Sequence, residues 1–182
     1  MSSLDILWFF ITISSWANCY DGDDIMCDVL REVYNGVLDE QFDYANFNKR
    51  VKLQKVVYLL ENMGVHVGNY SFTWNKYGPY SIALDDDAYR CSQKEENRLV
   101  NFTDEAKSAF EQIKSIISKR SVYEDFNWLE CISSLHFLKY VLHISLDDKM
   151  ILKELVKRKE YLNNVEENRL AMKIANEIEL GM

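Results

Sequence analysis

Residues that form tight turns are scarce in this sequence, which has six glycines and one proline in 182 residues. An all-β sandwich or barrel needs a turn every 8–12 residues or so, and the scarcity argues against that class. Long amphipathic helices need few turns, and apolar residues recur at helical spacing over most of the chain. We therefore expect one mainly helical domain over residues 1–182.

The apolar pattern places the helices. Helices are predicted at 4–17, 25–38, 50–63, 82–92, from residue 103 onward, 128–142, 147–159 and 164–180. Gly64 stands where a glycine closes a helix, and Ser81 and Thr103 stand where N-caps belong. The last helix is expected to bury Leu170 and Ile178. The helix at 128–142 is apolar on nearly every side, which is typical of a central helix.

Two short segments have strand character. Residues 70–77 alternate Phe72, Trp74 and Lys76 with small polar residues, the period of two of a strand, and Gly78-Pro79 is expected to end it. Residues 99–102 are a second candidate strand. The predicted fold class is mainly α (α+β), with a small two- or three-stranded β element and, as an option, a degenerate winged-helix-like lobe.

The charge balance is acidic, with a formal net charge of −8. Phosphate backbones repel such a chain on average, so nucleic-acid binding would need a local basic patch. Lys49, Arg50, Lys52 and Lys55 form one basic run. Lys52 and Lys55 are neighbours on a helix face, which is either simply solvated or seats a phosphate or an acidic partner.

The cysteines, Cys19, Cys27, Cys91 and Cys131, form no C-x-x-C pair, which argues against a zinc ribbon or a thioredoxin-type motif. We expect free buried thiols rather than disulfides.

The apolar run at 6–13 lacks a preceding basic residue and is too short to span a bilayer. It is interpreted as a buried first helix, with a signal or an interfacial anchor as the alternatives. It could also pair subunits in a homodimer. The expected compartment is the cytoplasm, with no membrane association.

The pentapeptide at 77–81 has a mechanical explanation. Gly78 permits a tight reversal, Pro79 fixes φ, and Ser81 caps the following helix. The alternative is an aromatic recognition surface, because tyrosine and tryptophan dominate binding hot spots. That surface would consist of Trp74, Tyr77 and Tyr80.

Catalytic and metal-binding motifs are weak. The acidic runs at 21–24 and 85–87 lack EF-hand spacing and are interpreted as solvated turns or helix starts. His136 and His143 are seven apart, too far for a paired metal site, although a Cys/His pair could still meet in space. A nucleophile elbow, a P-loop and a dinucleotide fingerprint are all missing. The expectation is no enzymatic activity, no cofactor and no metal.

Several blocks of the sequence together resemble a known family. They are RVKLQKVVYLL at 50–60, YGPYS at 77–81, and WLECISSLHFL at 128–138 followed by ILKELVKRK at 151–159. The chain is similar to the YwgA-like proteins and the related Panacea (SocA-like) antitoxin domains. The resemblance divides the chain into N-terminal helices at 1–48 and a family-like core at 49–180, and it marks Leu53, Gln54, Gly78, Pro79 and Ser81 as structural motif residues.

Two positions depart from the family pattern. Ala106 replaces a family glycine, and Lys159-Glu160 replaces a family Lys-Pro. The segment between the YGP helix and the helix at 103 is also short for the family, which puts a winged-helix-like surface in doubt.

The resemblance implies a prokaryotic or phage protein that neutralises a toxin, or delivers it to a protease, by direct binding. Its partner would be a toxin or a defence or counter-defence protein, and the candidate contacts are Lys52, Lys55, Trp74, Tyr77 and Tyr80. Two alternatives stay open. One is a DNA-binding regulator that uses the basic run, and the other is a hydrolase or transferase built around His136 or His143.

Overall fold

The computed structural model describes residues 11–12, 22–94, 100–119 and 122–179. The helices in these ranges are α1 (Gly22–Leu38), α2 (Phe47–Asn62), α3 (Ile82–Ser92), α4 (Asp104–Ser118), α5 (Asp125–His136), α6 (Asp148–Arg158) and α7 (Val165–Glu179). The strands are β1 (Ile11–Thr12), β2 (Thr73–Asn75), β3 (Gly78–Tyr80) and β4 (Asn101–Phe102). The predicted fold class, mainly helical with a small β element, is confirmed.

Helix α5 lies at the centre of the core. Every residue from Trp128 to Leu138 is buried, and the helix continues into a π-helical segment, Phe137–Val141. It packs chiefly against α7 and α2, while α1 packs against α3 and α4. A helix that is apolar all round buries every face, which is why the pattern at 128–142 predicted this position correctly.

Local side-chain chemistry sets several helix ends. The side chain of Ser81 accepts a hydrogen bond from the Leu84 amide, and that of Thr103 accepts one from the Ala106 amide. Gly64 has φ of 83° and closes α2, because its amide bonds the Glu61 carbonyl and the Val65 amide bonds the Leu60 carbonyl. All three predicted helix-terminal residues are confirmed.

The strands differ from the prediction in two ways. Gly78-Pro79 does not end the β element, because β3 returns antiparallel along β2 with Trp74 opposite Pro79. The strand predicted at 99–102 pairs with β1, with Ile11 opposite Phe102, and not with the hairpin. The described residues therefore contain two separate two-stranded pairs and no three-stranded wing.

The N-terminal part of the chain also differs. The helix predicted at 4–17 lies outside the described residues except for Ile11–Thr12, which form a strand. Helix α1 begins at Gly22, three residues before the helix predicted at 25–38, so the acidic run at 21–24 is a helix start from Gly22 onward and not a turn. Leu170, expected in the buried face of the last helix, is 37% exposed, whereas Ile178 is buried.

The expectation of free thiols is wrong for two cysteines. Cys27 on α1 and Cys91 on α3 form a disulfide, with Cα atoms 4.9 Å apart. The packing of α1 on α3 brings together two residues that are 64 positions apart in sequence. Cys131 is a free, buried thiol, and Cys19 lies outside the described residues.

Candidate functional site

A cleft of about 420 Å³ opens between α2, the β2–β3 hairpin and the start of α3. The residues that matter for its chemistry include aromatic rings from three parts of the chain and two charged groups of opposite sign. They are Tyr44, Phe47, Arg50, Tyr77, Tyr80 and Asp85. Lys55 also lines this cleft and is 1% exposed. The cleft is the candidate functional site.

The LQK block of α2 holds the hairpin in place. Gln54 Nε2 donates to the Ser81 carbonyl over 3.0 Å, and Gln54 Oε1 accepts from the Ser81 amide over 2.9 Å. Lys55 Nζ donates to the Pro79 carbonyl over 2.6 Å. Since Leu53 is buried in the core, three consecutive residues anchor α2 and fix the backbone of YGPYS.

Gly78 brings the hairpin close to α5. It has φ of 87°, a left-handed conformation that strains any residue with a side chain. A Cβ at this position would also overlap Ser134 Oγ and would lie 3.8 Å from Lys55 Cε. The three blocks that carry the family resemblance therefore pack against each other at one point.

A cluster of buried charges lies beneath the hairpin. Glu130, fully buried on α5, accepts a hydrogen bond from Lys159 Nζ over 2.6 Å and another from the Tyr161 hydroxyl. Lys159 Nζ also donates to the Lys76 carbonyl in the hairpin turn. A buried carboxylate and a buried ammonium thus neutralise each other, and this pair connects α5, the end of α6 and the hairpin.

Burial controls the charge of Lys55. Desolvation lowers the pKa of this ammonium from 10.5 to about 7, while the Glu130 carboxylate raises it and the Lys159 charge lowers it. Burial also lowers the pKa of Lys159, and Glu130 opposes that shift. Lys55 is therefore charged below neutral pH and loses its proton as the pH rises through 7.

The aromatic walls of the cleft are packed against one another and against Arg50. The guanidinium carbon lies 5.0 Å from the centre of the Tyr44 ring and 5.6 Å from that of Phe47, and Arg50 donates to the Tyr44 carbonyl. Phe47 meets Tyr77 edge to face with ring centres 5.0 Å apart. These contacts fix the cation and the rings relative to each other.

Asp85 anchors the opposite wall. Its carboxylate accepts a hydrogen bond from the Tyr44 hydroxyl over 3.1 Å. Burial raises the pKa of Tyr80 to about 12, and the Asp85 charge raises it as well. Tyr80 therefore stays protonated near neutral pH.

The five candidate contact residues separate into two groups. Lys55, Tyr77 and Tyr80 line the cleft, but Lys52 and Trp74 do not. Lys52 pairs with Glu40, and Trp74 packs on Phe137 beneath the cations of Arg158 and Lys159.

The basic run does not form one exposed face. Lys55 is buried, Lys52 is paired with Glu40, and Lys49 Nζ donates to the Gln41 carbonyl. Arg50 lies in the cleft among aromatic rings, and Lys55 lines the same cleft from the core. Spacing along a helix showed which lysines are neighbours, but it did not show that one of them points into the core.

Sequence reasoning missed the contribution of the loop before α2. Tyr44, Phe47 and Arg50 follow each other at intervals of three, a spacing that could have indicated a shared face at the beginning of a helix. Asp85 belongs to the acidic run at 85–87, which lies at the start of α3, in agreement with the helix predicted at 82–92. In the described ranges, no three His, Cys, Asp or Glu side chains converge as a metal site.

The histidines and the free cysteine occupy unlike places. His136 Nδ1 and the Tyr58 hydroxyl share a 2.7 Å hydrogen bond, and burial lowers the pKa of His136 to about 4. Burial raises the pKa of the Cys131 thiol, whose Sγ lies 3.3 Å from Asn168 Oδ1. His143 is exposed with φ of 50°. None of these three residues lines the cleft.

Within the part of the chain that the structure describes, no helix has the length and apolar character needed to cross a membrane. Comparisons of the chain with models of protein families, with curated proteins and with solved structures found no match.

Proposed function

We propose that this chain is a non-enzymatic, protein-binding module of the antitoxin type, which neutralises or delivers a toxin or a defence protein through the cleft. The observation that carries the proposal is the aromatic wall formed by Phe47, Tyr77, Tyr80 and Tyr44 above a hairpin whose backbone is fixed by side chains of α2. Rigid aromatic rings around a recess are the usual anchors of protein–protein interfaces.

Preorganisation supports this role. Binding loses free energy whenever a loop or side chain must become ordered. Here the backbone at Ser81 is clamped twice by Gln54, and that at Pro79 once by Lys55. Phe47 is 42% exposed although it contacts Tyr77, so part of this aromatic surface is open to a partner.

The overall charge supports a basic partner. A net charge of −8 attracts a cationic protein over long distances and speeds its association. The same charge disfavours DNA, and the basic run offers no compensating patch because Lys52 is paired and Lys55 is buried. The protein-binding proposal therefore has more support than the DNA-binding alternative.

A cytoplasmic location is also part of the proposal. Disulfides are rare in reducing compartments, so we expect Cys27 and Cys91 to be reduced in the cell if the location is correct. Acid quenching of living cells, followed by alkylation in denaturant and mass spectrometry, measures this directly. A fully oxidised pair would instead support an oxidising compartment.

The experiment is co-expression of the full chain with the product of the gene that neighbours its own. We expect relief of growth inhibition and a stable complex by calorimetry. Replacement of the Tyr77 ring by Tyr77→Ala is expected to weaken the complex by at least about tenfold, since a hot-spot aromatic contributes about 2 kcal/mol or more.

A matched control uses another exposed apolar side chain. Leu146 is 86% exposed and lies between the π-helical segment and α6. Leu146→Ala should leave the complex unchanged. Loss of binding with Leu146→Ala but not with Tyr77→Ala would indicate that the interface lies outside the cleft. The absence of both a complex and growth relief would contradict the protein-binding role for that neighbour.

A further inference from the structure

Arg50 differs from the other arginines in the described ranges. Arg31, Arg90, Arg158 and Arg169 each form an ion pair with a carboxylate one turn away on the same helix. Arg50 donates to a backbone carbonyl and stacks on two rings, and none of the described carboxylates lies within ion-pair distance of it. Among the described residues, its charge therefore has no ion-pair partner.

Lys55 adds a second cation to the same cleft. Its ammonium hydrogen-bonds the Pro79 carbonyl and forms no ion pair with a described carboxylate, although the field of Glu130 reaches it. A chain with a net charge of −8 thus places two basic side chains along one recess, neither of them ion-paired with a described carboxylate, and Lys55 is charged below neutral pH. The acid in that recess, Asp85, is already bonded to the Tyr44 hydroxyl.

The walls restrict the shape of an anion. The Phe47 ring lies beside the guanidinium of Arg50 and meets the Tyr77 ring edge to face, and the cleft of about 420 Å³ is large enough for one flat ring with its substituent. A guanidinium binds a carboxylate through two parallel hydrogen bonds. A phosphate dianion would need more donors than Arg50 supplies and would be repelled more strongly by Asp85.

We propose that this cleft is a carboxylate-binding site, with Arg50 as the main ligand and the rings of Phe47 and Tyr77 holding a flat apolar group attached to the carboxylate. The identity of the molecule that carries the carboxylate rests on the proposed function. If the ligand is the protein partner, the carboxylate is its C-terminus or one of its acidic side chains, which even a basic protein possesses.

The test uses the full chain and small probes in NMR titrations. Benzoate is expected to bind and to shift amide signals at 47–50 and 77–80, whereas the neutral analogue benzamide should bind at least about tenfold more weakly. Arg50→Gln should reduce benzoate affinity by about tenfold or more, because a charge-assisted pair contributes about 1.5–3 kcal/mol. Arg169→Gln, which removes the same charge from an exposed position on α7, should change it less than twofold.

Asp85→Asn provides a change of opposite sign. It removes the negative charge while keeping an oxygen that can accept from the Tyr44 hydroxyl, so benzoate affinity should rise. This variant keeps the test decisive if Arg50→Gln unfolds the chain. The proposal is overturned if benzoate fails to bind, if benzamide binds equally well, if Asp85→Asn weakens benzoate binding, or if inorganic phosphate binds more tightly than benzoate.

Peptides identify the source of the carboxylate. A peptide ending in phenylalanine with a free C-terminus should bind and its C-terminal amide should not, if the source is a terminus. An amidated peptide with an internal Phe-Glu pair should bind if the source is a side chain. Binding of benzoate without binding of either peptide would preserve the carboxylate site and would contradict its use for a protein partner.

Discussion

The two sides of the molecule are built from different interactions. On one side α1 packs against α4 through aliphatic residues such as Val33, Val37 and Ile113, and the Cys27–Cys91 disulfide joins α1 to α3. On the other side the Glu130–Lys159 pair connects α5, the end of α6 and the hairpin. Apolar contacts are individually small and tolerate exchange, whereas a buried ion pair depends on both partners and on their exact hydrogen bonds.

This difference indicates which side of the molecule is suited to a binding site. The polar side holds the hairpin at fixed points, so the cleft above it keeps its shape before any partner binds. On the apolar side, the packing of α1 on α4 provides stability through contacts that tolerate exchange. We therefore expect substitutions on the polar side to have larger effects than those on the apolar side.

The largest effect is expected for Glu130→Gln. This change leaves Lys159 buried at 1% exposure without its carboxylate, which typically destabilises a protein by about 3–5 kcal/mol. Urea denaturation followed by circular dichroism measures the free energy of unfolding. The control is Glu166→Gln, which removes an exposed carboxylate paired with Arg169 and should change stability by less than about 0.5 kcal/mol. Equal losses of unfolding free energy in the two variants would contradict the special role of the buried ion pair.

The next effect concerns His136 and pH. Burial lowers its pKa from the ordinary 6.5 to about 4 in the folded chain, so the unfolded chain binds more protons between these values. Stability should therefore decrease by about 3 kcal/mol as the pH falls from 6.5 to 4. His136→Gln should remove this part of the pH dependence, while His143→Asn, at an exposed position, should retain it. Unfolding curves at several pH values decide between these outcomes.

A smaller loss is expected for Gly78→Ala. The new Cβ would overlap Ser134 Oγ, and the alanine would have to adopt φ of 87°. Together these effects should destabilise the chain by about 2–3 kcal/mol. Gly64→Ala has the same φ problem but open space around it, and should cost only about 1 kcal/mol. Adding Ser134→Ala to Gly78→Ala should restore part of the difference. If the two glycine variants were equally stable, the close approach of the hairpin to α5 would be unimportant.

The smallest effect is expected on the apolar side. Ile113→Val removes one methylene from a fully buried position on α4 and should reduce stability by about 1 kcal/mol. Thermal and urea unfolding of this variant, measured beside Gly78→Ala, complete the series. A loss larger than that of Gly78→Ala would reverse the proposed ranking of the two sides.

The sequence predicted the apolar side and the helix ends well. The spacing of apolar residues and the capping of helix ends are local properties, so neighbouring residues alone were enough to predict them. This holds for helices α2, α4 and α7 and for the helix-terminal roles of Gly64, Ser81 and Thr103.

The site depended on non-local contacts, which a single sequence does not reveal. Lysine is normally a surface residue. Lys55 instead lies in the interior, where its ammonium donates a hydrogen bond to the Pro79 carbonyl, 24 positions away in sequence. The Cys27–Cys91 disulfide and the pairing of β4 with β1 depend on chain packing in the same way. Tyr77 and Tyr80 were identified from the turn motif, whereas Tyr44 and Phe47 join them only because α2 begins beside the hairpin.

Hydrogen exchange of the full chain, with and without its bound partner, tests the central claim most directly. We predict added protection at residues 44–50 and 75–85, which surround the cleft, and little change elsewhere in the described ranges. Protection confined to the exposed apolar segment at 141–150, with an unchanged cleft, would contradict the account.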